Sequence, residues 1–395
     1  MKPGIKPIIF LFLITLTVSF IIPCHGEINI PFMKKEIDYF KYVNKSFISG
    51  LQHIYTDGNS LCWNRENNLI VTEKEIFDGF FDLVVFKPSG LWEENINLKK
   101  KSAPIKHNGN PCWHPSGEWI VFTAQNKDAL GYFNMKKGVP GVGLNCNLFL
   151  TDRDGERYWQ LTYHSTSIYD TKAVIYPRFS RDGERLFWAE RERDSETGKR
   201  GAWVLNIAEF EFEGEIPVLK NREKIRLSDN DCFYQSHDFN DDRTEILFSG
   251  NLEEGYKENG LDIYRYNLDT GELMNLTNSP DDWDGYAHYS PDGKKIIWVS
   301  SRNIQIKWGS TGGYSQPSYL KTDLWIMDVT GENKIRLTYF NNIPEKESVN
   351  KNFRVIVSDS TWSPAGDSVL ATVVFINGGK TENKQILFKL KNEGK

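Results

Sequence analysis

Short apolar runs recur along the chain, each placed after a tight polar cluster that itself follows an aromatic residue. The clearest unit is Tyr289-Ser290-Pro291-Asp292-Gly293-Lys294-Lys295-Ile296-Ile297-Trp298. Residues 179–188 (FSRDGERLFW), 113–122 (WHPSGEWIVF) and 362–370 (WSPAGDSVL) repeat it. Two weaker copies begin at Trp63 (WNRENNLIV) and Phe239 (FNDDRTEILF). The leading aromatics Trp63, Trp113, Phe179, Phe239, Tyr289 and Trp362 are spaced by 50, 66, 60, 50 and 73 residues. Pro, Asp and Gly fix or free the backbone dihedrals of a turn, and the β-branched run after them suits a strand, so each copy predicts a hairpin.

Most copies carry a second hairpin signal, as in residues 262–272 (DIYRYNLDTGE) and 323–332 (DLWIMDVTGE). A strand ending in Leu161-Thr162, Leu227-Ser228, Leu276-Thr277 or Leu337-Thr338 follows. That makes four strands per copy, and four-stranded units repeated radially are propeller blades. The expectation is an all-β chain: a six-bladed β-propeller of four-stranded antiparallel blades. The last copy supplies only its second and third strands after its hairpin, at 371–375 and 385–391. Open strand edges are a liability, so a strand from residues 27–55 is expected to fill the outer edge of blade six and close the ring. Helical periodicity is confined to residues 36–43.

Composition adds limits. The 395 residues are 39% hydrophobic and 26% charged, as in a globular chain. With 48 basic and 53 acidic residues the net charge is -5, which gives no footprint for nucleic acid. Lys2 and Lys6 precede an uncharged stretch at 8–22, then Pro23-Cys24-His25-Gly26. This is the layout of a secretory signal peptide over 1–26. The alternatives are an uncleaved anchor or lipidation of Cys24, which are the only membrane links expected. Residues 27–50 then form an N-terminal segment supplying the closing strand, and 51–395 the propeller. A periplasmic or secreted monomer is expected. Four cysteines remain after cleavage at Gly26, namely Cys62, Cys112, Cys146 and Cys232, with three connectivities open.

The Ser-Pro-Asp-Gly hairpin, the Leu-Asp-Thr-Gly-Glu turn at 268–272 and the Leu-Thr strand ends resemble the TolB-type β-propeller repeat over about residues 51–395. The resemblance implies fold more than function. Periplasmic TolB, propellers of prolyl oligopeptidase relatives and some oligogalacturonate lyases share this repeat. TolB carries an α/β domain ahead of its propeller. Only about 25 to 35 residues separate the signal from the first copy here, which favours a stand-alone propeller.

The long segments, at 126–145, 192–200, 303–321 and 341–359, fall on the face of the second-to-third loops and inter-blade links. Binding loops cluster on a rigid scaffold, so a ligand is expected on that face, at the mouth of the central channel. Residues just before each leading aromatic line the channel: Cys62, Cys112, Arg178, His237, Asp238, His288 and Thr361. His237 and His288 stand at comparable places in adjacent copies. They could share a divalent metal or bind an anion, although no local ligand spacing predicts a metal. Arg178 suits a carboxylate or phosphate, or pairs with Asp238. Trp283 lies in an acidic Asp-Asp-Trp-Asp-Gly link at 281–285, read as a turn rather than a calcium loop. Trp308 and Tyr314 edge a Gly-rich loop and could stack on a sugar or a peptide side chain. No G-x-S-x-G, H-E-x-x-H or dinucleotide fingerprint occurs. The leading expectation is an exported, non-enzymatic propeller that binds a protein, peptide or glycan on its long-loop face, with a TolB-like envelope role as one form of it. The alternative is a carbohydrate-active lyase or hydrolase using Arg178, His237 and His288.

Overall fold

The computed structural model describes residues 37–76, 79–96, 102–129, 138–166, 172–193, 201–256, 260–304, 320–344, 347, 353–377 and 380–391. The expected signal peptide, residues 27–36 of the N-terminal segment, Trp308 and Tyr314 lie outside them.

Six four-stranded antiparallel sheets make up this part of the chain. Blade 1 runs Cys62–Trp63, Ile70–Glu75, Phe81–Phe86 and Glu93–Asn95 from the inside outward. Blade 2 begins with Asn108–Trp113, blade 3 with Ala173–Phe179, blade 4 with Tyr234–Phe239 and blade 5 with Asp284–Tyr289. Blade 6 consists of Arg354–Trp362, Ser368–Asn377 and Lys380–Leu390, with Ile48–Thr56 as its outer strand. That strand pairs antiparallel with Lys380–Leu390, in a register that sets Leu51 against Phe388 and Tyr55 against Gln385. It starts near the end of the segment assigned to this role from sequence and runs past it. The helix expected at 36–43 is one turn of 3-10 helix, Tyr39–Tyr42. Among the described residues no helix is long and apolar enough to cross a membrane.

All six leading aromatics are the last residues of their inner strands. In blades 3, 5 and 6 the turn after the aromatic is held by its own serine. In blade 5 the Ser290 carbonyl accepts Gly293 N–H, while the hydroxyl donates to Asp292 and accepts Lys295 N–H. Gly293 has φ 70°, a left-handed value that favours glycine. In blade 4 Arg243 takes this position at φ 62°, which is why that copy reads weakly in sequence.

The core lies between blades. Leu148 and Leu150 of blade 2 pack on Val174, Leu186 and Trp188 of blade 3. Leu247 and Ile263 of blade 4 meet Ala287, Ile296 and Trp298 of blade 5. At the seam of blades 6 and 1, Leu370 and Leu387 join Ile70, Val84 and Phe86, and Tyr55 stacks on Phe86 with centroids 4.6 Å apart. Each sheet therefore buries both faces, and only the channel leaves inner-strand side chains without a facing sheet.

Candidate functional site

The inner strands of blades 2 to 6 each carry a register shift just before their closing residues. After it, one residue per blade occupies the same place against the second strand. The pairs are Cys62 with Val71, Cys112 with Val121, Arg178 with Phe187, Asp238 with Leu247, His288 with Ile297 and Thr361 with Leu370. These six residues line a cavity of about 330 Å³, rimmed by turn residues such as Arg65, Pro115 and Arg181.

The sequence predicts this ring at the long-loop mouth, whereas the structure sets it among the short turns at Arg65, Pro115 and Arg181. Inner strands start at the long-loop face and end at the short-turn face. A residue one before the strand's end therefore belongs to the short-turn side.

The ring fastens each blade to the next. Cys62 Sγ accepts Trp113 N–H at 3.2 Å, Cys112 accepts Phe179 N–H, and Asp238 Oδ2 accepts Tyr289 N–H at 3.1 Å. Arg178 Nε donates to the His237 carbonyl at 3.0 Å. Asp359, two residues before Thr361, closes the seam by accepting Leu61 N–H at 3.0 Å. Arg178 Nη2 stands 3.9 Å from Asp359, so its anionic neighbour at contact range is Asp359 rather than Asp238.

His288 sits between Asp238, 3.7 Å from Nδ1, and Asp359, 3.5 Å from Nε2. Burial works against its protonation, but hydrogen bonding to and charge from the two carboxylates outweigh it and raise the imidazole above its ordinary value of 6.5. His237 is different. It is the extra residue of the bulge between Ser236 and Asp238, and its ring nitrogen meets Ser249 Oγ at 2.6 Å. Burial, then the nearby His288 and Arg178, hold it well below 6.5. The two histidines are thus offset by one register position and face different partners. Among the described residues, no group of three or more His, Cys, Asp or Glu is placed to hold a metal.

One layer further along the inner strands, Tyr176 and Tyr286 meet across the channel with their hydroxyls 3.0 Å apart. Both have left-handed backbones, φ 50° and 53°, an unusual state for a bulky residue. Beyond them lies a second cavity of about 300 Å³, lined by Ser60, Glu73, Val139, Pro140 and Asp359. Glu73 is fully buried, and burial pushes its carboxyl up to about 7 despite two hydrogen bonds from Ser60.

Of the residues singled out from sequence, Arg178, Asp238 and His288 share one cavity and His237 stands beside it. Trp283 does not join them. It is 4% exposed, packs 5.7 Å from Tyr286 and introduces a strand whose Asp284 holds Ser279 and Trp298. Arg65, Glu73, Tyr176, Tyr286 and Asp359 were missed. Aligning the copies three residues before the leading aromatic would have brought Tyr176, Tyr286 and Asp359 into one row. Nothing in the repeat marks Glu73.

No family model matches the chain and no curated protein matches it. Solved structures do. A protein assigned as TolB from Agrobacterium tumefaciens is similar at 12% identity and a TM-score of 0.49, covering 87% of this chain and 97% of that one. TolB from Acinetobacter baumannii is similar at 14% and 0.46, covering 88% and 66%. An oligogalacturonate lyase in complex with manganese is similar at 9% and 0.46, covering 87% and 93%. The six sheets of four antiparallel strands make this chain a six-bladed β-propeller, and its Ser-Pro-Asp-Gly-type hairpins resemble the TolB-type repeat.

Proposed function

We propose that the protein is an exported propeller that works by binding, without catalysis, and that its partner is a protein, peptide or glycan presenting a carboxylate to the channel mouth. The carrying observation is an imbalance of donors and acceptors in the 330 Å³ cavity. The Asp238 and Asp359 oxygens are already engaged by backbone N–H groups. Meanwhile His288 Nε2 stands 3.5 Å and Arg178 Nη2 3.9 Å from the one Asp359 carboxylate, both longer than a good charge-assisted hydrogen bond. Arg65 stands exposed at the rim beside Arg181. A carboxylate that satisfied these donors would gain charge-assisted hydrogen bonds in a partly buried site. This moves the expected binding face from the long loops to the short turns. Carboxylates tied up as backbone acceptors are poor candidates for acid or base roles, and His237 faces Ser249. Both facts weigh against the lyase or hydrolase reading. The signal-like 1–26 segment supports export.

Trp63, Trp113 and Trp362 line the cavity, so intrinsic fluorescence reports its occupancy. Titration with poly-L-glutamate and with oligogalacturonate is expected to give a saturable change that weakens in Arg65→Ala. Absence of saturation with either probe, or release of an unsaturated uronate product, overturns the proposal. Fractionation of cells expressing the full chain tests export.

A further inference from the structure

Cys62 and Cys112 come from adjacent blades, occupy the same register position and both face the short-turn cavity. Their sulfurs are 3.6 Å apart, with the Cys62 thiol donating to Cys112. A disulfide has an S–S bond of about 2 Å, so each sulfur needs to move by roughly 0.8 Å. Side-chain rotation supplies movements of that size without a shift of the strands. We infer that Cys62 and Cys112 form a redox-active dithiol that exchanges with low-molecular-weight disulfides entering the cavity and ends as a disulfide joining blades 1 and 2.

The surroundings favour Cys112 as the attacking sulfur. The hydrogen bond from Cys62 lowers its thiol against the cost of burial, and the Arg178 guanidinium adds to the effect. Cys62 moves the other way, held up by its hydrogen bond to Cys112 and by burial. This is the division of labour that thiol–disulfide exchange requires, because the thiolate is the nucleophile. The Cys112 thiolate attacks one sulfur of R–S–S–R, forms Cys112–S–S–R and expels RS⁻. The Cys62 thiol gives its proton to solvent and attacks Cys112 Sγ, and the second RS⁻ leaves. The pair loses two electrons and two protons in total, and the small disulfide is reduced to two thiols.

The other two cysteines are placed differently. Cys146 is buried with its thiol against the Gly138 and Leu144 carbonyls, and burial pushes it far up. Cys232 is buried too, and burial raises its thiol as well. Oxidation is therefore expected at one pair.

The test uses the full chain, reduced with dithiothreitol and then exposed to oxidised glutathione at pH 8. Acid quenching, alkylation under denaturing conditions and peptide mass mapping follow. The expected result is a loss of two hydrogens, a bridged peptide pair containing Cys62 and Cys112, and alkylated Cys146 and Cys232. In Cys62→Ser the reaction is expected to stop at a glutathione adduct on Cys112. In Cys112→Ser, Cys62 has lost the partner that completes the bridge, so no internally bridged peptide containing Cys62 is expected and any oxidation of Cys62 stops at a glutathione adduct. If a variant does not fold, the peptide map of the parent chain decides alone. Alkylation of both Cys62 and Cys112 after oxidant treatment overturns the inference, and so does a bridge that includes Cys146 or Cys232.

Discussion

Glu73 offers the sharpest energetic test of the channel. It lies in the second strand of blade 1 and is fully buried, with Oε1 accepting Ser60 N–H at 3.1 Å and Ser60 Oγ–H at 2.8 Å. Oε2 has no hydrogen-bond partner. Burial is the main cause of a rise from 4.5 to about 7, and the Asp359 charge adds to it. Such a rise corresponds to about 3 kcal/mol, at about 1.4 kcal/mol for each pH unit. Between pH 4.5 and about 7 the folded chain holds a proton here that the unfolded chain has released. Stability therefore falls as pH rises through this window, and the full penalty is felt above it. Glu73→Gln keeps the acceptor for Ser60 and removes the charge. Urea unfolding followed by tryptophan fluorescence would measure both proteins from pH 4 to pH 8.5. The variant should match the parent at the acid end and exceed it by about 3 kcal/mol at the alkaline end. A difference between the two that stays constant across the range would refute the reasoning, because a mere change of packing has no reason to follow pH.

Other consequences can be checked as directly. Tyr176→Phe should cost about 1 kcal/mol by removing its hydroxyl contact with Tyr286, and Tyr286→Phe likewise; the double variant should cost clearly less than the sum, as a double-mutant cycle in urea would show. His288 has its proton held above the ordinary 6.5, so its contribution to stability is complete below that value and fades as pH rises through its folded pKa. Proton NMR should therefore show one imidazole titrating above 6.5 that vanishes in His288→Gln, with the His237 resonance staying neutral well below it. Deleting the chain through Thr56 removes the outer strand of blade 6 and exposes the edge at Lys380–Leu390. That deletion should melt several degrees lower and aggregate, and an unchanged melting curve would contradict the role given to the strand.

Much of the architecture could be read from the chain because turn chemistry is local. Ser290, Pro291, Asp292 and Gly293 dictate their hairpin without help from the rest of the fold, and the period of such hairpins counts the blades. The site was harder for a geometric reason. Each inner strand contributes one or two residues, and the bulge before its end decides which of them enters the channel. His237 and Asp238 are neighbours in sequence, yet only Asp238 shares the register of His288. A bulge depends on how the sheet must bend at the hub, so a single copy does not announce it. The direction of the inner strands was the other difficulty. The repeat shows where a strand ends, and the face it ends on follows only when the whole blade is traced. Glu73 lay beyond reach altogether, because its elevated carboxyl comes from burial in the assembled ring, to which Asp359 of blade 6 only adds.

The outer strand of blade 6 has a consequence for how this chain is made. The Ser49 hydroxyl meets the Lys389 carbonyl 340 residues away, and the strand it belongs to has no other sheet to join. During synthesis, residues 48–56 emerge early and wait while five sheets assemble, each from strands close together in sequence. Local contacts form first because their loop-closure cost is small, and the longest loop closes last. The slow step in folding is then the docking of this strand, and until it happens the last hairpin presents an unpaired β-edge to other chains. A factor that shields residues 48–56 or the Lys380–Leu390 edge would act on yield without touching the native state, whereas a circular permutant with its termini in the link between blades 1 and 2, after Asn95 and before Asn108, would leave every sheet built from strands close in sequence.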